Sequence, residues 1–310
     1  MLVPRFSSAD SFVCRYSWLP KLVQGLIVDP DLFTDHSNAM VRLGVGSNMV
    51  NSIRFWGIET GFIQLVEKSR SSYEPSELGL QILGDGGFDP FIEDISTLLL
   101  IHWNISTQKN PLFAWDFMLN KWHRADFSLS EILPELTKTG SSTPASRKRH
   151  MELFLRTYVP TRGHKVEVKE DNLDSPLVEL DFVRKVGERQ AQTEDGERRS
   201  EALYSFRFED KPEITPALFV YCIYRYWLEF RNQEKTLTFR DIATERFSIG
   251  QVFKLPEHVL RDRLEGLESD SEGLLAYEES ASSPMVVVNE TNPELKALLK
   301  RVYKKGRASS

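Results

Sequence analysis

The chain has 310 residues, a net charge of −6, 41% apolar residues and many aromatics, with 19 Phe and 6 Trp; that is enough for two domains and a sizeable core, and it excludes a disordered chain. Cys14 and Cys222 lie far apart in no metal-like spacing, which argues against a disulfide scaffold or a zinc site and for a reducing cytoplasm. No apolar run approaches a bilayer span, and the start MLVPRFSSAD lacks a signal-peptide core, so a soluble cytosolic protein is expected.

The first legible element is a helix-turn-helix. Asn38 to Leu43 (NAMVRL) supplies a short first helix, and Gly44 sits where the turn needs a residue that tolerates positive φ. Ser47 offers a hydroxyl to cap a second helix running to about Trp56. Met49, Val50, Ile53 and Trp56 recur at three- and four-residue spacing, which predicts an inward face. Ser47, Asn48, Asn51, Ser52 and Arg54 make up the other face. These short hydrogen-bonding side chains and one forked cation are the types that read base edges and grip phosphates. One position departs from the usual motif: the small residue expected four places before Gly44 is Met40. Helical hairpins of this shape also serve as pure packing units.

Ile63 to Val66 and Ser72 to Pro75 then flank the polar turn KSRSS, which predicts a β-ribbon with Lys68 and Arg70 at a wing tip beside the phosphate backbone. Three helices follow. Asp94 caps DISTLLLIHWNI, Asn110 and Pro111 open NPLFAWDFMLNKW, and Ser128 with Glu131 form a capping box for SLSEILPEL. Pro134 must fall near the start of that last helix or kink it. These elements make a first domain, 11–136. Thr137 to Ser146 (TKTGSSTPAS) has no large apolar residue and reads as a linker.

A second α+β domain, 147–303, opens with the basic helix RKRHMELFLRTYV, striped by Met151, Phe154, Leu155 and Tyr158. Between Ser141 and Glu170 there are seven Lys and Arg against three acids, whereas Glu257 to Glu279 holds eight acids and two bases. The charge is therefore segregated, and Arg147, Lys148 and Arg149 are candidate phosphate contacts, with a solvated face as the plainer alternative. Gly187 to Glu201 reads as a mobile loop and Tyr204 to Phe208 as a strand. Thr215 and Pro216 open the apolar helix ALFVYCIYRYWLEF, the expected buried centre. A helix from Pro256, strands LLAYEE and PMVVVNE, and a last helix opened by Asn292 and Pro293 complete the tail. A second winged-helix-like unit, 238–289, is expected there. The fold class is thus mainly α with small β-ribbons, an N-terminal winged helix-turn-helix followed by an α+β domain.

Several separate motifs in order, LGVGSNMVNSIRFWG, LGDGGFDPFIED, FLRTYVPTR, DNLDSPLVEL and GQVFKLPEHVLRDRLEGL, resemble the SspB-like family, a bacterial domain-of-unknown-function family of DNA phosphorothioation (Ssp) systems. The resemblance runs from about Phe12 to Tyr303. It implies a protein that nicks one strand of double-stranded DNA, working with a desulfurase, an ATPase and a sulfurtransferase of the same operon, and open to homodimerisation. The rival readings are a non-enzymatic regulator or loading factor, and an interaction subunit whose helix-turn-helix only packs.

Nicking by in-line attack needs carboxylates holding a divalent metal (Mg or Mn), a general base, and cations over the phosphate. Asp85, Asp89, Glu93 and Asp94 form the densest acidic patch of the first domain, near His102, with Gly84, Gly86 and Gly87 allowing the backbone to bend. Each also has a structural role to play: Asp94 as a cap, Glu93 at a helix start, Asp85 in a turn. The second candidate set is Arg156 and Arg162 as phosphate clamps with Asp171 and Asp174, where Asp174 can equally cap SPLVELDFV. His150 and His164 are candidate bases. No HxH pair, PD-(D/E)xK core or HNH pattern is present. Nor is there a glycine-rich phosphate loop, a GxGxxG or a GxSxG, which argues against an ATPase, a dinucleotide enzyme or a serine hydrolase.

Overall fold

Where the first helices begin and end is set by a few capping groups. The Trp18–Val28 helix (α1) packs on Ser47–Glu59 (α3) at Gly57, where an added Cβ would lie 2.2 Å from Leu22 Cδ2, so a larger residue there would have to displace the Leu22 side chain. Between them, His36–Leu43 (α2) starts at Asp35, whose carboxylate accepts from the Ser37 N–H. A computed structural model describes residue 5 and residues 12–67, 69, 71–137, 143–160, 175–192, 198–279 and 283–304. These residues mix helices with three small antiparallel sheets, one of two strands and two of three.

The chain divides into two compact units. The first is Met1–Glu93 with Gln108–Arg207, the second Asp94–Thr107 with Phe208–Ser310. The 137–146 segment therefore falls inside the first unit. The helices on either side of it, Leu129–Thr137 (α7) and Pro144–Tyr158 (α8), pack on one another, and Arg147 Nη1 donates to the Leu136 carbonyl at 3.0 Å. Thr143 caps α8 and Pro144 takes its first position, so the last four residues of the expected linker are a helix start. Residues 138–142 lie outside the described residues.

In the first unit a two-stranded ribbon, Ile63–Leu65 (β1) with Tyr73–Pro75 (β2), follows α3 directly, paired Ile63 to Pro75 and Leu65 to Tyr73. Glu77–Leu83 (α4) comes next, capped by Ser76, a helix the periodicity did not announce. Phe113–Asn120 (α6) starts later than Pro111 because the Phe113 N–H is taken by the Arg5 carbonyl and the Arg5 N–H by the Pro111 carbonyl, both at 2.9 Å. Within the stretch 187–201, residues 187–192 and 198–201 are strand and not loop. Val183–Gln192 (β4) pairs antiparallel with Arg198–Phe206 (β5), and Asp126–Phe127 (β3) flanks β5; residues 193–197 lie outside the described residues. Polar groups hold this hairpin where apolar alternation does not: Arg189 meets Glu131 at 2.9 Å and Glu201 at 3.2 Å, and Ser200 donates to Glu188 at 2.8 Å. The core of the unit is a chain of rings. Trp56 meets Trp115 edge-on at 6.2 Å, Trp115 Nε1 donates to Tyr158 Oη at 2.9 Å, Tyr158 packs on Phe182 at 5.3 Å, and Phe182 on Phe206 at 5.5 Å. Such pairs add about 0.5–1.5 kcal/mol each beyond their burial.

The second unit takes Ile95–Ser106 (α5), which the sequence placed in the first domain. Asp94 caps it as expected, accepting from the Ser96 N–H at 2.8 Å. Every residue from Ser96 to Ser106 is buried, because an all-round apolar helix must be enclosed on all sides. Trp103 stacks on Phe253 at 5.8 Å. Thr215 caps Pro216–Tyr226 (α9), the buried centre, which runs on as a π-helical turn, Trp227–Arg231. Thr238 and Asp241 form a full capping box for Phe239–Ala243 (α10), followed by Ile249–Phe253 (α11), Glu257–Glu265 (α12) and Leu267–Asp270 (α13). Thr236–Thr238 (β6), Leu275–Glu278 (β7) and Met285–Val288 (β8) make its sheet. The last helix, Leu295–Val302 (α14), packs its Leu298, Leu299 and Val302 edge on α9. Both cysteines are buried free thiols. Among the described residues no helix is long and apolar enough to cross a membrane.

Candidate nucleic-acid interface

The α2–Gly44–α3 segment is built as the residue types require. Gly44 ends α2 with φ 67° and ψ 40°, a left-handed conformation that costs glycine little, and its N–H returns to the Met40 carbonyl. Gly46, not Ser47, is the N-cap of α3. Ser47 is already helical, and its hydroxyl bonds His36 Nε2 at 2.8 Å, joining the start of α3 to the start of α2. Inward, Val50, Ile53 and Trp56 are fully buried, while Met49 is half-buried; Trp56 Nε1 donates to the Phe12 carbonyl at 3.0 Å.

On the outer face Ser47 and Asn48 are exposed, and Asn51 and Arg54 are half-buried. Ser52 does not belong to that face. It is fully buried, and its hydroxyl donates to the Asn48 carbonyl at 3.1 Å, satisfying itself within the helix. Arg54 is held by aromatic rings. Its guanidinium lies 5.8 Å from the Phe33 ring centre and 5.7 Å from that of Tyr73 on β2, and Nη2 reaches Asn51 Oδ1 at 3.3 Å. Arg42 is exposed in the last turn of α2. Lys68 and Arg70, between β1 and β2, lie outside the described residues.

On α8 the basic run divides. Lys148 and Arg149 are exposed, with Lys148 4.0 Å from Glu152, but Arg147 is buried with its guanidinium on the Leu136 carbonyl. It braces α7 against α8 and does not face solvent. Arg156 is exposed near the C-terminus of α8, its Nε 3.4 Å from the Glu152 carbonyl. His150 is buried. Arg162, His164, Asp171 and Asp174 lie outside the described residues.

The acidic patch behaves mainly as backbone support. Asp85 is exposed on the turn after α4, whereas Asp89 is buried and accepts from the Glu93 N–H at 2.8 Å. Asp94 caps α5. His102 is fully buried in the second unit, bonded through Nε2 to the Val252 carbonyl at 2.9 Å, and burial holds its pKa down to about 4. Among the described residues no group of three or more His, Cys, Asp or Glu side chains is placed to hold a metal ion.

Two crystal structures share this fold. Magnesium ion-bound SspB superimposes with a TM-score of 0.79 at 20% identity, covering 97% of this chain and 90% of that one. A second SspB structure gives 0.78 at the same identity and coverage. No curated protein sequence matches the chain. The model of the family described as "protein of unknown function (DUF4007)" matches residues 6–303, and the chain belongs to that family.

Proposed function

We propose that this chain is a DNA-binding component of a DNA phosphorothioation system, nicking one strand so that partner enzymes can insert sulfur. The observation that carries the reading is the order α2, Gly44, α3, β1–β2: a second helix presenting Ser47 and Asn48 to solvent with a ribbon directly behind it, the layout of a winged helix-turn-helix. Asn48 and Asn51 read base edges in this scheme, and Lys68, Arg70, Lys148 and Arg149 grip phosphates. The short helices α10–α12 with β7 and β8 are read as a second, winged-helix-like unit. The fold shared with magnesium-bound SspB supports Mg or Mn as the cofactor of the nick. Asp85, Asp89 and Asp174 are the carboxylates assigned to it, with Arg156 and Arg162 as phosphate clamps. Its partners are duplex DNA and the sulfur-transfer proteins, a desulfurase, an ATPase and a sulfurtransferase, in the cytoplasm, where a homodimer fits the palindromic habit of such binders.

A second reading, a non-enzymatic specificity or loading factor, is favoured by the scatter of the described carboxylates, with Asp85 on a turn and Asp89 spent on the Glu93 N–H. Incubation with supercoiled plasmid separates the two. The nickase reading expects open-circular product with magnesium or manganese, stopped by a chelator and lost in Asp85→Asn or Asp174→Asn while duplex binding persists. Binding without nicking under any divalent ion, alone or with the sulfur-transfer proteins, leaves the loading factor. In either case Asn48→Ala and Asn51→Ala should relax sequence preference by roughly 1–3 kcal/mol per base contact.

A further inference from the structure

We infer that Arg54 is a positioning residue that sets the β1–β2 ribbon against the recognition helix, and not itself a phosphate or base contact. For its DNA consequences this rests on the binding reading above. Arg54 is the cation of the outer face of α3, the position from which a phosphate contact is ordinarily expected. Its guanidinium instead lies against two rings from separate segments, Phe33 after α1 and Tyr73 on β2, at 5.8 and 5.7 Å. Those two rings also touch each other edge-on at 5.8 Å, so the three groups close a small cage. Asn51 Oδ1 accepts from Nη2 and orients the fork from one turn earlier on α3.

The cage joins three segments of the chain: the turn after α1, α3 and β2. The described ribbon is only three residues a side, too short to hold its own angle. Tyr73 faces Leu65 across that ladder, and Leu65 is half exposed. A guanidinium held against two rings supplies direction as well as attraction, because it is planar and meets the ring faces.

Two measurements test this. Amide hydrogen exchange reads the ribbon without DNA: in Arg54→Ala the Val66 N–H, which donates to the Ser72 carbonyl at 3.0 Å, should exchange at least tenfold faster, and Arg54→Lys should recover part of the loss. Tyr73→Leu should match Arg54→Ala, and the double variant should be no worse than either alone. Unchanged exchange in Arg54→Ala overturns the positioning role whatever DNA does. Fluorescence anisotropy with a labelled duplex across 50–200 mM salt reads the consequence. Arg54→Ala and Tyr73→Leu should both weaken binding about tenfold with parallel salt dependence. A slope reduced by about 0.9 in Arg54→Ala alone, the signature of one lost phosphate contact, would overturn the inference. If the wild-type chain binds no duplex, the DNA reading fails while the exchange result still decides the cage.

Discussion

Arg5 and Glu59 form a two-pronged ion pair at 2.5 and 2.6 Å that ties Arg5 to the end of α3. The pair is lopsided: Glu59 is 1% exposed and the Arg5 side chain 38%. Burial raises the Glu59 pKa, and the adjoining guanidinium only partly offsets it. Removing the arginine leaves a buried charge without its counterion. Arg5→Ala should therefore cost toward the lower end of about 3–5 kcal/mol in urea unfolding, since Arg5 is itself partly solvated. Glu59→Gln on that background should restore much of it. The folded pKa lies above the unfolded one, so the folded state holds more proton just above the ordinary carboxylate range and stability falls as pH rises through it. Arg5→Ala should steepen that fall. A variant whose stability matches wild type at every pH would show the pair to be idle.

The division of the basic run on α8 gives a second expectation. Neutralising Lys148 and Arg149 together should lower the salt slope of duplex binding by about 1.8, at roughly 0.9 for each phosphate contact. Arg147→Ala should leave the slope unchanged and instead cost about 1–3 kcal/mol, because the Leu136 carbonyl loses its donor in a buried place. A fall in slope on removing Arg147 alone would return it to the DNA surface.

The second unit should gain stability with pH in two steps. His102 has its pKa held down to about 4 by burial, against 6.5 in the unfolded chain, and Lys254 is held down to about 7 by burial, against 10.5. In both windows the unfolded state binds the extra proton, so stability rises with pH from about 4 to 6.5 and again from about 7 to 10.5. It is lost as pH falls through each. The limiting slope is about 1.4 kcal/mol per pH unit for each group. His102→Gln should flatten the lower step and Lys254→Met the upper one, read by urea midpoints across pH. Steps that persist in both variants would assign them to other groups.

How much of this was legible depends on whether a signal was local. Asp94, Thr215 and Gly44 act where their own neighbours said they would, because caps and left-handed turns are decided within four residues. Thr143–Pro144 carries the same cap-then-proline signal and was lost inside a stretch rich in Ser and Thr. Arg147 was also readable in principle. It lies four residues before Met151 and seven before Phe154, on the same buried stripe, so helical position outweighed charge. Ser52 sits likewise on the stripe of Phe55, Trp56 and Glu59. The β4–β5 hairpin was not readable from alternation, since charge pairs such as Arg189 with Glu201 occupy the positions that apolar residues usually mark. The cage around Arg54 joins residues 33, 54 and 73 and exists only in the folded chain.

The assignment of α5 to the second unit also fixes an order of events during synthesis. Residues 94–107 leave the ribosome before residues 108–207, which finish the first unit, and long before 208–304, which supply the second. Throughout that interval a helix with no polar side is without the groups that will enclose it, Phe253 and Val252 among them. The nascent chain therefore carries an uncovered apolar helix from the emergence of α5 until residues 208–304 follow, the interval in which a chaperone would matter most.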